Sequence, residues 1–538
     1  MASPIFFILQ FLCFVLAIVG ASAQGGSWQI LNNNIGISCM HAAVTRWNTV
    51  VCLDRTDIGP SNLTFPTGHP CRTDPNDMAK NKTDCTAHSC VFDLQTNQCR
   101  PLMIQTDTWC SSGQFLPNGS LLQTGGYNDG SNKFRMFDPC RNTGSCDWYE
   151  FPNTMQLSKP RWYATNQVLP DGTMIIIGGI SQNSLEYYPP RSGGAVNFLF
   201  LGQTTDNQLD NLYPYVHLLP NGYLFIFANN QSVLYNYTSN AIMSYLPVLG
   251  GGARNYPSGG SSAMLALETG HYSNATIIIC GGAQYDVYYY GRKTVPGKTS
   301  CGRINATDDN PIWEMEEMPL PRIMGEMVML PTGDLCIING AQDGSQGYGF
   351  ATNPYLNPVL YQPKNPVGSR FTTLNPTATP RLYHSTANLL PDGRIMVAGS
   401  NTHLTYTWNG TFPTVLSVEA FSPDYLSASN SDLRPVLGRK PGQIGYGGLG
   451  NVYFNVTSLG VLEVNIASAP YSTHSFSQGQ RLVKLKIVRR ITSGAKYGSQ
   501  YRLVFQAPPN GMVAPPGFYM VFVVNQGVPS EAFWVSIS

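Results

Sequence analysis

The stretch Leu169–Gly179, LPDGTMIIIGG, decides the fold of this chain. It joins a Pro-Asp-Gly turn to a run of apolar residues and ends in two glycines. Proline fixes φ for a tight turn and Asp-Gly supplies a residue that tolerates positive φ, so the stretch predicts a turn followed by a buried strand. The glycine pair predicts that backbones approach each other closely where this strand ends.

The pattern recurs along the chain at intervals of about 50–60 residues, a spacing typical of propeller blades. Further copies of the Leu-Pro-X-Gly turn begin at Leu116, Leu219, Leu330 and Leu390. A copy with a divergent turn covers Thr276–Gly282, and an early copy without the glycine pair covers His41–Arg55. Together they predict a seven-bladed kelch-like β-propeller, in which four-stranded sheets surround a central channel.

Composition supports an all-β protein. Only 12% of the 538 residues are charged, whereas there are 53 glycines and 39 prolines, as expected for many short strands joined by turns. The formal net charge is +1 and no run of basic residues occurs, which argues against a nucleic-acid partner. No segment after the amino terminus is apolar and long enough to predict a membrane span.

The repeat stops near Thr411, where short apolar segments without the glycine pair begin. We therefore predict a propeller over residues 24–410, with a cysteine-rich insertion near residues 60–105. Residues 411–538 are predicted to form a separate β-sandwich. His474 falls in this second domain, and we expect it on a Ser/Thr-rich loop between two strands.

The amino terminus predicts secretion. Residues 1–23 combine an apolar segment with the small-residue pattern Ala21-Ser22-Ala23, which is typical of a cleaved signal peptide. Nine Asn-X-Ser/Thr sequons fit an N-glycosylated extracellular protein of the cell wall or apoplast. They begin at Asn62, Asn81, Asn118, Asn230, Asn236, Asn274, Asn305, Asn409 and Asn455.

The cysteines of a secreted chain are expected to form disulfides. The chain has 13, of which Cys13 lies in the signal peptide. Connectivity does not follow from sequence, although Cys140 and Cys146 bound a small loop and Cys280 and Cys301 flank a predicted hairpin. Cys110 and Cys336 remain as the odd pair, and Cys336 sits in an apolar run typical of a buried core thiol.

Four separated segments hold residues that one metal ion could use: Trp109-Cys110, Arg161-Trp162-Tyr163, Arg381-Leu382-Tyr383-His384 and Ser472-Thr473-His474. They offer one cysteine, two tyrosines and two histidines, which is not the set of three or more His or Cys ligands of a zinc site. Imidazole and oxygen donors in a tetragonal arrangement suit Cu(II). Because the loops at one mouth of a propeller converge, we expect the five residues to meet there.

Two geometric expectations follow from this hypothesis. Neighbours on a regular strand face opposite ways, so Tyr383 and His384 can share an ion only in a bend at the propeller mouth. His474 has to reach that mouth from the second domain, so the site should hold the two domains together.

These segments, their order and both domains resemble the galactose oxidase and glyoxal oxidase family of copper radical oxidases over nearly all of the mature chain. The resemblance implies that the second domain is an immunoglobulin-like (E-set) sandwich. It further implies a Cys110–Tyr163 thioether, which forms the radical cofactor. One Cu(II) per chain would be held by Tyr163, Tyr383, His384 and His474, with Tyr383 as the base.

Departures from fungal galactose oxidase favour the glyoxal oxidase branch. Its tryptophan after the glycine pair is missing here, where Ile180-Ser181 follow, and there is no room for its amino-terminal carbohydrate-binding domain. The resemblance then implies an oxidase of small aldehydes of the glyoxal or methylglyoxal type. Their hydrates would become carboxylic acids while O2 becomes H2O2. Trp47 or Trp109 is a candidate to shield the radical in place of the missing tryptophan.

Two alternatives stay open at this point. The first is a galactose oxidase-type primary alcohol oxidase that acts on galactose or cell-wall polysaccharide. The second is a non-catalytic propeller that serves as a binding module, since a fold alone does not give a function. The sequence leaves the natural substrate, the activating oxidant and the oligomeric state undecided.

Overall fold

The computed structural model describes residues 25–73, 83–141, 145–492 and 500–538. The predicted signal peptide and the sequon at Asn81 lie outside the described residues. Nearly all regular structure in the described part is β-strand, with one short α-helix, α1 (Leu199–Gln203), and short 3-10 turns at Asn128–Gly130, Asp424–Leu426 and Ala428–Leu433. No helix in this part is both long and apolar enough to cross a membrane.

Seven antiparallel sheets form the blades of a propeller, which confirms the predicted fold. The strands up to the third blade are β1 (Ser27–Asn32), β2 (His41–Val44), β3 (Thr49–Leu53), β4 (Arg72–Thr73), β5 (Thr83–Asp84), β6 (Ser89–Asp93), β7 (Gln98–Leu102), β8 (Ser112–Phe115), β9 (Leu121–Thr124), β10 (Phe134–Phe137), β11 (Trp148–Glu150), β12 (Ala164–Val168), β13 (Met174–Gly178), β14 (Ser184–Tyr188) and β15 (Val196–Asn197). Blade 1 contains β2, β3, β6 and β7, blade 2 contains β8–β11, and blade 3 contains β12–β15.

Blades 4 to 7 follow in chain order. Their strands are β16 (Tyr215–Leu218), β17 (Leu224–Ala228), β18 (Gln231–Asn236), β19 (Ala241–Tyr245), β20 (Ser261–Met264), β21 (Thr276–Cys280), β22 (Ser300–Asn305), β23 (Glu314–Glu317), β24 (Glu326–Met329), β25 (Leu335–Ile338), β26 (Ala341–Gly344), β27 (Ala351–Pro354), β28 (Val359–Tyr361), β29 (Phe371–Thr373), β30 (Ser385–Leu389), β31 (Ile395–Gly399) and β32 (Val418–Ser422). Strands β26 and β27 form a side hairpin of blade 6. Blade 7 consists of β30, β31, β32 and the amino-terminal strand β1, so the first strand of the chain closes the ring.

Two further sheets form the carboxy-terminal sandwich. Its strands and the hairpin they carry are β33 (Val436–Leu437), β34 (Gln443–Ile444), β35 (Leu449–Asn455), β36 (Leu462–Ser468), β37 (Tyr471–Thr473), β38 (Phe476–Gln478), β39 (Leu482–Leu485), β40 (Ile487–Thr492), β41 (Tyr501–Gln506), β42 (Gly517–Asn525), β43 (Val528–Pro529) and β44 (Phe533–Ile537). One sheet has the order β33-β35-β41-β40 and the other β34-β44-β42-β36-β39. Their facing apolar side chains share one core.

The hairpin β37–β38 leaves the sandwich and fills the propeller channel. Strand β37 pairs with β2, the inner strand of blade 1, and the hairpin contacts the inner strands of all seven blades. Polar side chains fix it there. Ser477 donates to the Glu326 carboxylate over 3.0 Å, and the side chain of Gln478 accepts a hydrogen bond from the Asn166 backbone N–H. Such bonds satisfy polar groups that would otherwise be buried without partners.

A buried arginine stands before the inner strand of several blades and ties each blade together. Arg161 donates to the carbonyl of Gly178 over 2.6 Å, and Arg381 donates to that of Gly399 over 2.9 Å. Arg254 and Arg322 make the corresponding bonds in blades 5 and 6. These arginines therefore have a structural role at the end of the second strand of the blade.

The glycine pairs mark places of close backbone approach, as predicted. A Cβ added to Gly125 would overlap the carbonyl oxygen of Arg161 in the next blade, and one on Gly281 would overlap that of Arg322. Both glycines also have φ near 70°, a conformation that side chains rarely adopt.

The structure corrects three details of the predicted organisation. Strand β32 pairs with β31, so the propeller extends beyond residue 410. Strands β6 and β7 belong to blade 1, so the cysteine-rich insertion ends before Ser89. His474 lies on a Ser/Thr-rich turn between two strands, as predicted, but these strands, β37 and β38, lie in the propeller channel and not in the sandwich. None of these strands carries the Leu-Pro-X-Gly signal, so the repeat could not locate them.

Candidate metal centre

Three of the four predicted segments end at the start of an inner strand, at the same mouth of the propeller. Cys110 precedes β8, Tyr163 precedes β12, and Tyr383-His384 precede β30. The turn of the channel hairpin, with His474 at its first position, reaches the same point. The fold thus brings together side chains that are more than 300 residues apart in sequence.

The backbone at these positions is unusual. Cys110, Tyr163, His384 and His474 have φ values of 49°, 68°, 63° and 48°. Residues other than glycine rarely adopt this left-handed region, and such strain gathers at functional sites. At Tyr383-His384 the bend lets two neighbours face the same space, as predicted, and their rings stack with centroids 3.9 Å apart.

The sulfur and imidazole donors form a compact buried group. The ligand atoms of Cys110, His384 and His474 all lie within 4.8 Å of one another. Cys110 Sγ is 3.1 Å from His474 Nε2. Five disulfides pair Cys39–Cys52, Cys71–Cys85, Cys90–Cys99, Cys140–Cys146 and Cys280–Cys301, which leaves Cys110 and Cys336 as buried free thiols among the described residues.

The two histidines are buried and could act as neutral ligands. Burial lowers the pKa of both His384 and His474 well below the ordinary range, so each imidazole keeps a lone pair. His474 Nδ1 is 2.6 Å from Thr473 Oγ1, an interaction that orients the ring and leaves Nε2 for a ligand. Both nitrogens of His384 are buried without a hydrogen-bond partner in the part of the chain that the structure describes. Such an orphaned imidazole fits a metal ligand.

The two predicted tyrosines meet through a third one. The Tyr163 hydroxyl is 3.2 Å from the Tyr256 hydroxyl, which is 3.1 Å from that of Tyr383. Burial raises the pKa of the Tyr163 and Tyr383 phenols well above their ordinary range. A bound cation would reverse this shift, because it stabilises the phenolate.

Sequence reasoning missed Tyr256, although a signal was present. Arg161-Trp162-Tyr163, Arg254-Asn255-Tyr256 and Arg381-Leu382-Tyr383 share the spacing Arg-X-Tyr. The arginine of each segment ties its blade, so the tyrosine two residues later is brought to the mouth in all three.

Aromatic side chains cover one side of the site. The Trp162 ring lies 4.7 Å from that of Tyr163 and 4.9 Å from that of Trp109. The Arg55 guanidinium stacks on Trp109 at 3.5 Å. Trp162 is thus the tryptophan that packs on Tyr163, with Trp109 behind it. Of the two candidates for the radical shield that the sequence suggests, Trp109 lies at the site, but Trp162, which packs directly on Tyr163, is not among them.

Trp47, the other tryptophan considered as a shield, lies elsewhere. Its indole donates to the carbonyl of Pro139, and its ring lies beside Arg46 and Arg141. Arg46 in turn donates to Asn118 in a Leu-Pro-Asn-Gly turn, at the opposite end of the propeller from the site. Trp47 therefore cannot cover Tyr163.

Comparisons with known proteins agree with this architecture. The family model for the glyoxal oxidase N-terminus matches residues 40–425, and that for the galactose oxidase-like Early set domain matches residues 434–537. A fungal alcohol oxidase of the AA5 family, solved in complex with copper, shares the fold with a TM-score of 0.72 at 18% sequence identity, covering 96% of this chain and 99% of that one.

Two plant proteins are more similar in sequence. Aldehyde oxidase GLOX of Vitis pseudoreticulata is 57% identical over 97% of this chain and 99% of its own length. Aldehyde oxidase GLOX1 of Arabidopsis thaliana is 39% identical over 95% of this chain and 84% of its own length. Because the two family models match both domains and these relatives are similar over nearly the whole chain, the chain belongs to the glyoxal oxidase family.

Proposed function

We propose that the protein is a secreted copper radical oxidase that converts small aldehydes, through their hydrates, to carboxylic acids and reduces O2 to H2O2. The observation that carries the proposal is the convergence of five side chains at one buried point: Cys110, Tyr163, Tyr383, His384 and His474. The names of the two plant relatives, both aldehyde oxidases, support the aldehyde as substrate.

The donor set fits Cu(II). Tyr163, Tyr383, His384 and His474 would supply two phenolate oxygens and two neutral imidazoles, which are donors that this ion favours. Copper supplies a Lewis acid for the substrate hydroxyl and one of the two electron-accepting centres that the oxidation needs. His384, whose ring nitrogens lack partners among the described residues, gains one by binding the ion.

The protein residues carry the proton and hydrogen-atom transfers. Tyr383 takes the proton of the substrate hydroxyl as general base. Tyr163, held as a radical, takes the hydrogen atom from the substrate carbon. A hydrated aldehyde, RCH(OH)2, thereby loses two hydrogens to become RCOOH, and O2 accepts them to become H2O2.

Cys110 is proposed to modify Tyr163. A thioether forms when the Cys110 S–H and the ring C–H beside the hydroxyl give up their hydrogens, with O2 taking both as H2O2. It would spread the unpaired electron and make the phenol easier to oxidise. The cysteine is suitably placed, because it is buried and takes no part in a disulfide, and the Tyr163 backbone N–H donates to its carbonyl over 2.9 Å. Trp162 and Trp109 would then keep water and reductants away from the radical.

Secretion is the remaining part of the proposal. Five disulfides fit an oxidising compartment. The asparagines of four sequons, Asn62, Asn118, Asn274 and Asn409, are exposed and so accessible for glycosylation.

The test is H2O2 release by secreted, copper-loaded protein after treatment with a one-electron oxidant, with methylglyoxal and galactose offered in parallel. Release with methylglyoxal alone is expected. Release with galactose alone would favour a primary alcohol oxidase, and the absence of release with either substrate would favour the non-catalytic alternative. Protein without copper is the control.

A further inference from the structure

Tyr256 lies between the two phenols to which the proposed function gives the chemistry. Its hydroxyl is within hydrogen-bond distance of both Tyr163 and Tyr383, at 3.2 Å and 3.1 Å. Its ring is 4.5 Å from that of Tyr163, and the residue is only 8% exposed. The hydroxyl therefore lies next to both oxygens that the proposed mechanism brings to the substrate.

Two other buried tyrosine hydroxyls at this mouth already have hydrogen-bond partners. The Tyr213 hydroxyl donates to the carbonyl of Ser111 over 2.9 Å. The Tyr348 hydroxyl accepts a hydrogen bond from Arg55. Among the described residues, Tyr256 is the one whose hydroxyl bonds to both Tyr163 and Tyr383.

The hydrogen-bonding capacity of this hydroxyl changes when the site is filled. A tyrosine hydroxyl has one proton to donate and lone pairs that accept. While Tyr163 and Tyr383 bind the metal as phenolates, before Tyr383 takes the substrate proton, neither has a proton to donate. Tyr256 can then donate to one of them, and its oxygen is left without a donor partner in a buried site. A buried acceptor without a partner is costly, so a substrate hydroxyl that donates to it gains affinity.

A primary alcohol and an aldehyde hydrate differ in just this respect. The alcohol has one hydroxyl, which the proposed mechanism uses at the metal, whereas the hydrate has a second hydroxyl on the same carbon. We propose that Tyr256 accepts a hydrogen bond from that second hydroxyl and so makes the site selective for hydrated aldehydes over primary alcohols. The inference rests on the proposed function and names the residue that determines its substrate class.

The test uses two compounds that are not turned over. Trifluoroacetone hydrate has two hydroxyls on a carbon without hydrogen, and trifluoro-tert-butanol has one hydroxyl on such a carbon. Their affinities are measured from the change in the Cu(II) optical and electron paramagnetic resonance spectra of copper-loaded, radical-free protein. We expect the wild-type protein to bind the hydrate about tenfold more tightly than the alcohol, the effect of one buried hydrogen bond.

Tyr256→Phe should remove this preference and leave the affinity for the alcohol nearly unchanged. Tyr519→Phe is the matched control, because it also deletes a buried hydroxyl, one that donates to the carbonyl of Pro515 over 2.7 Å in the sandwich, away from the site. It should keep the wild-type ratio. In the oxidant-activated protein, the ratio of kcat/KM for methylglyoxal to that for a primary alcohol should fall about tenfold in Tyr256→Phe alone.

Three results would decide against the inference. Equal affinities of the wild-type protein for the two compounds would overturn it even if Tyr256→Phe failed to fold. A ratio that is unchanged in a folded Tyr256→Phe variant would do the same. A copper-loaded wild-type protein that binds neither compound would contradict the proposed function itself, and the inference with it.

Discussion

The two ends of the propeller place different residues in tight turns and bends that require positive φ. At the end away from the site, Gly119, Gly172, Gly222, Gly333 and Gly393 occupy the tight turns with φ between 83° and 95°. At the site end, Cys110, Tyr163, His384 and His474 occupy tight bends with φ between 48° and 68°. The far turns use the residue that adopts positive φ without strain, whereas the site end, besides its glycine pairs, also places four residues proposed to carry the chemistry in this conformation.

The difference indicates where the fold accepts strain for function. Each non-glycine residue in the left-handed region costs about 1–3 kcal/mol and persists only where its surroundings hold it. Here the arginines that tie the blades and the hairpin in the channel hold the site residues in place. The far end should therefore respond to substitution through stability, and the site end through activity and metal binding.

The largest effect is expected from Tyr163→Phe at the site end. Removal of the phenol oxygen removes both a proposed ligand and the proposed radical, so H2O2 release with methylglyoxal should fall to the level of protein without copper. The ring and backbone remain, so the melting temperature should stay close to that of wild-type protein produced without copper, in which the thioether has not formed. Turnover at the wild-type rate would contradict the assigned role, and Tyr519→Phe, which removes a buried hydroxyl in the sandwich, serves as control.

Tyr383→Phe should have a smaller effect on turnover. The variant loses the proposed general base, which is typically worth a factor of about 10²–10⁴ in kcat. Three of the four proposed ligands remain, so we expect copper still to be bound at one ion per chain. Metal analysis and kcat of the same preparation test this, and a kcat equal to that of the wild type would exclude Tyr383 as the base.

Copper should stabilise the folded protein, because its ligands come from both domains. At a free copper concentration a hundred times the Kd, the expected gain is about 2.7 kcal/mol. It appears as a higher Tm in the copper-loaded protein than after chelation. His474→Ala removes the ligand on the channel hairpin, so the difference should shrink in this variant. Equal melting temperatures of metal-free and copper-loaded wild-type protein would contradict a site that joins the domains.

Gly393→Ala at the far end should change stability and nothing else. Gly393 has φ of 91°, and an added Cβ would come no closer than 3.5 Å to Tyr425, so conformational strain is the main cost. We expect the free energy of unfolding to fall by about 1 kcal/mol, measured by denaturant titration. The kcat for methylglyoxal should be unchanged. A loss of activity in this folded variant would contradict the claim that residues at the far end affect only stability.

The far end explains why the fold was predictable from sequence. The conformation of its turns is set by the residues within each turn. Leu169–Gly179 and its copies therefore predict the blades and their number correctly. The closing strand β1 and the last strand β32 carry no such signal, and their place depends on long-range pairing. The propeller predicted from the repeat therefore ends too early, before β32.

The site was predictable only in part. The sequence supplied its five residues, and the structure brings them together, while their ligand roles stay predictions. The path of His474 was not predictable, because β37 and β38 read as ordinary short strands and their partner lies in blade 1. Trp162 and Tyr256 both belong to Arg-X-Tyr segments that are visible in the sequence. Their contacts, however, depend on how three blades meet.

The central claim is that Cys110 and Tyr163 form one cofactor, and peptide mass spectrometry tests it most directly. Copper-loaded, aerated protein is reduced, alkylated and digested with trypsin. We predict a single species with the summed mass of the Cys110 and Tyr163 peptides less two hydrogens, which is absent from a Cys110→Ser variant. Recovery of alkylated Cys110 and an unmodified Tyr163 peptide from the wild-type protein would contradict the account.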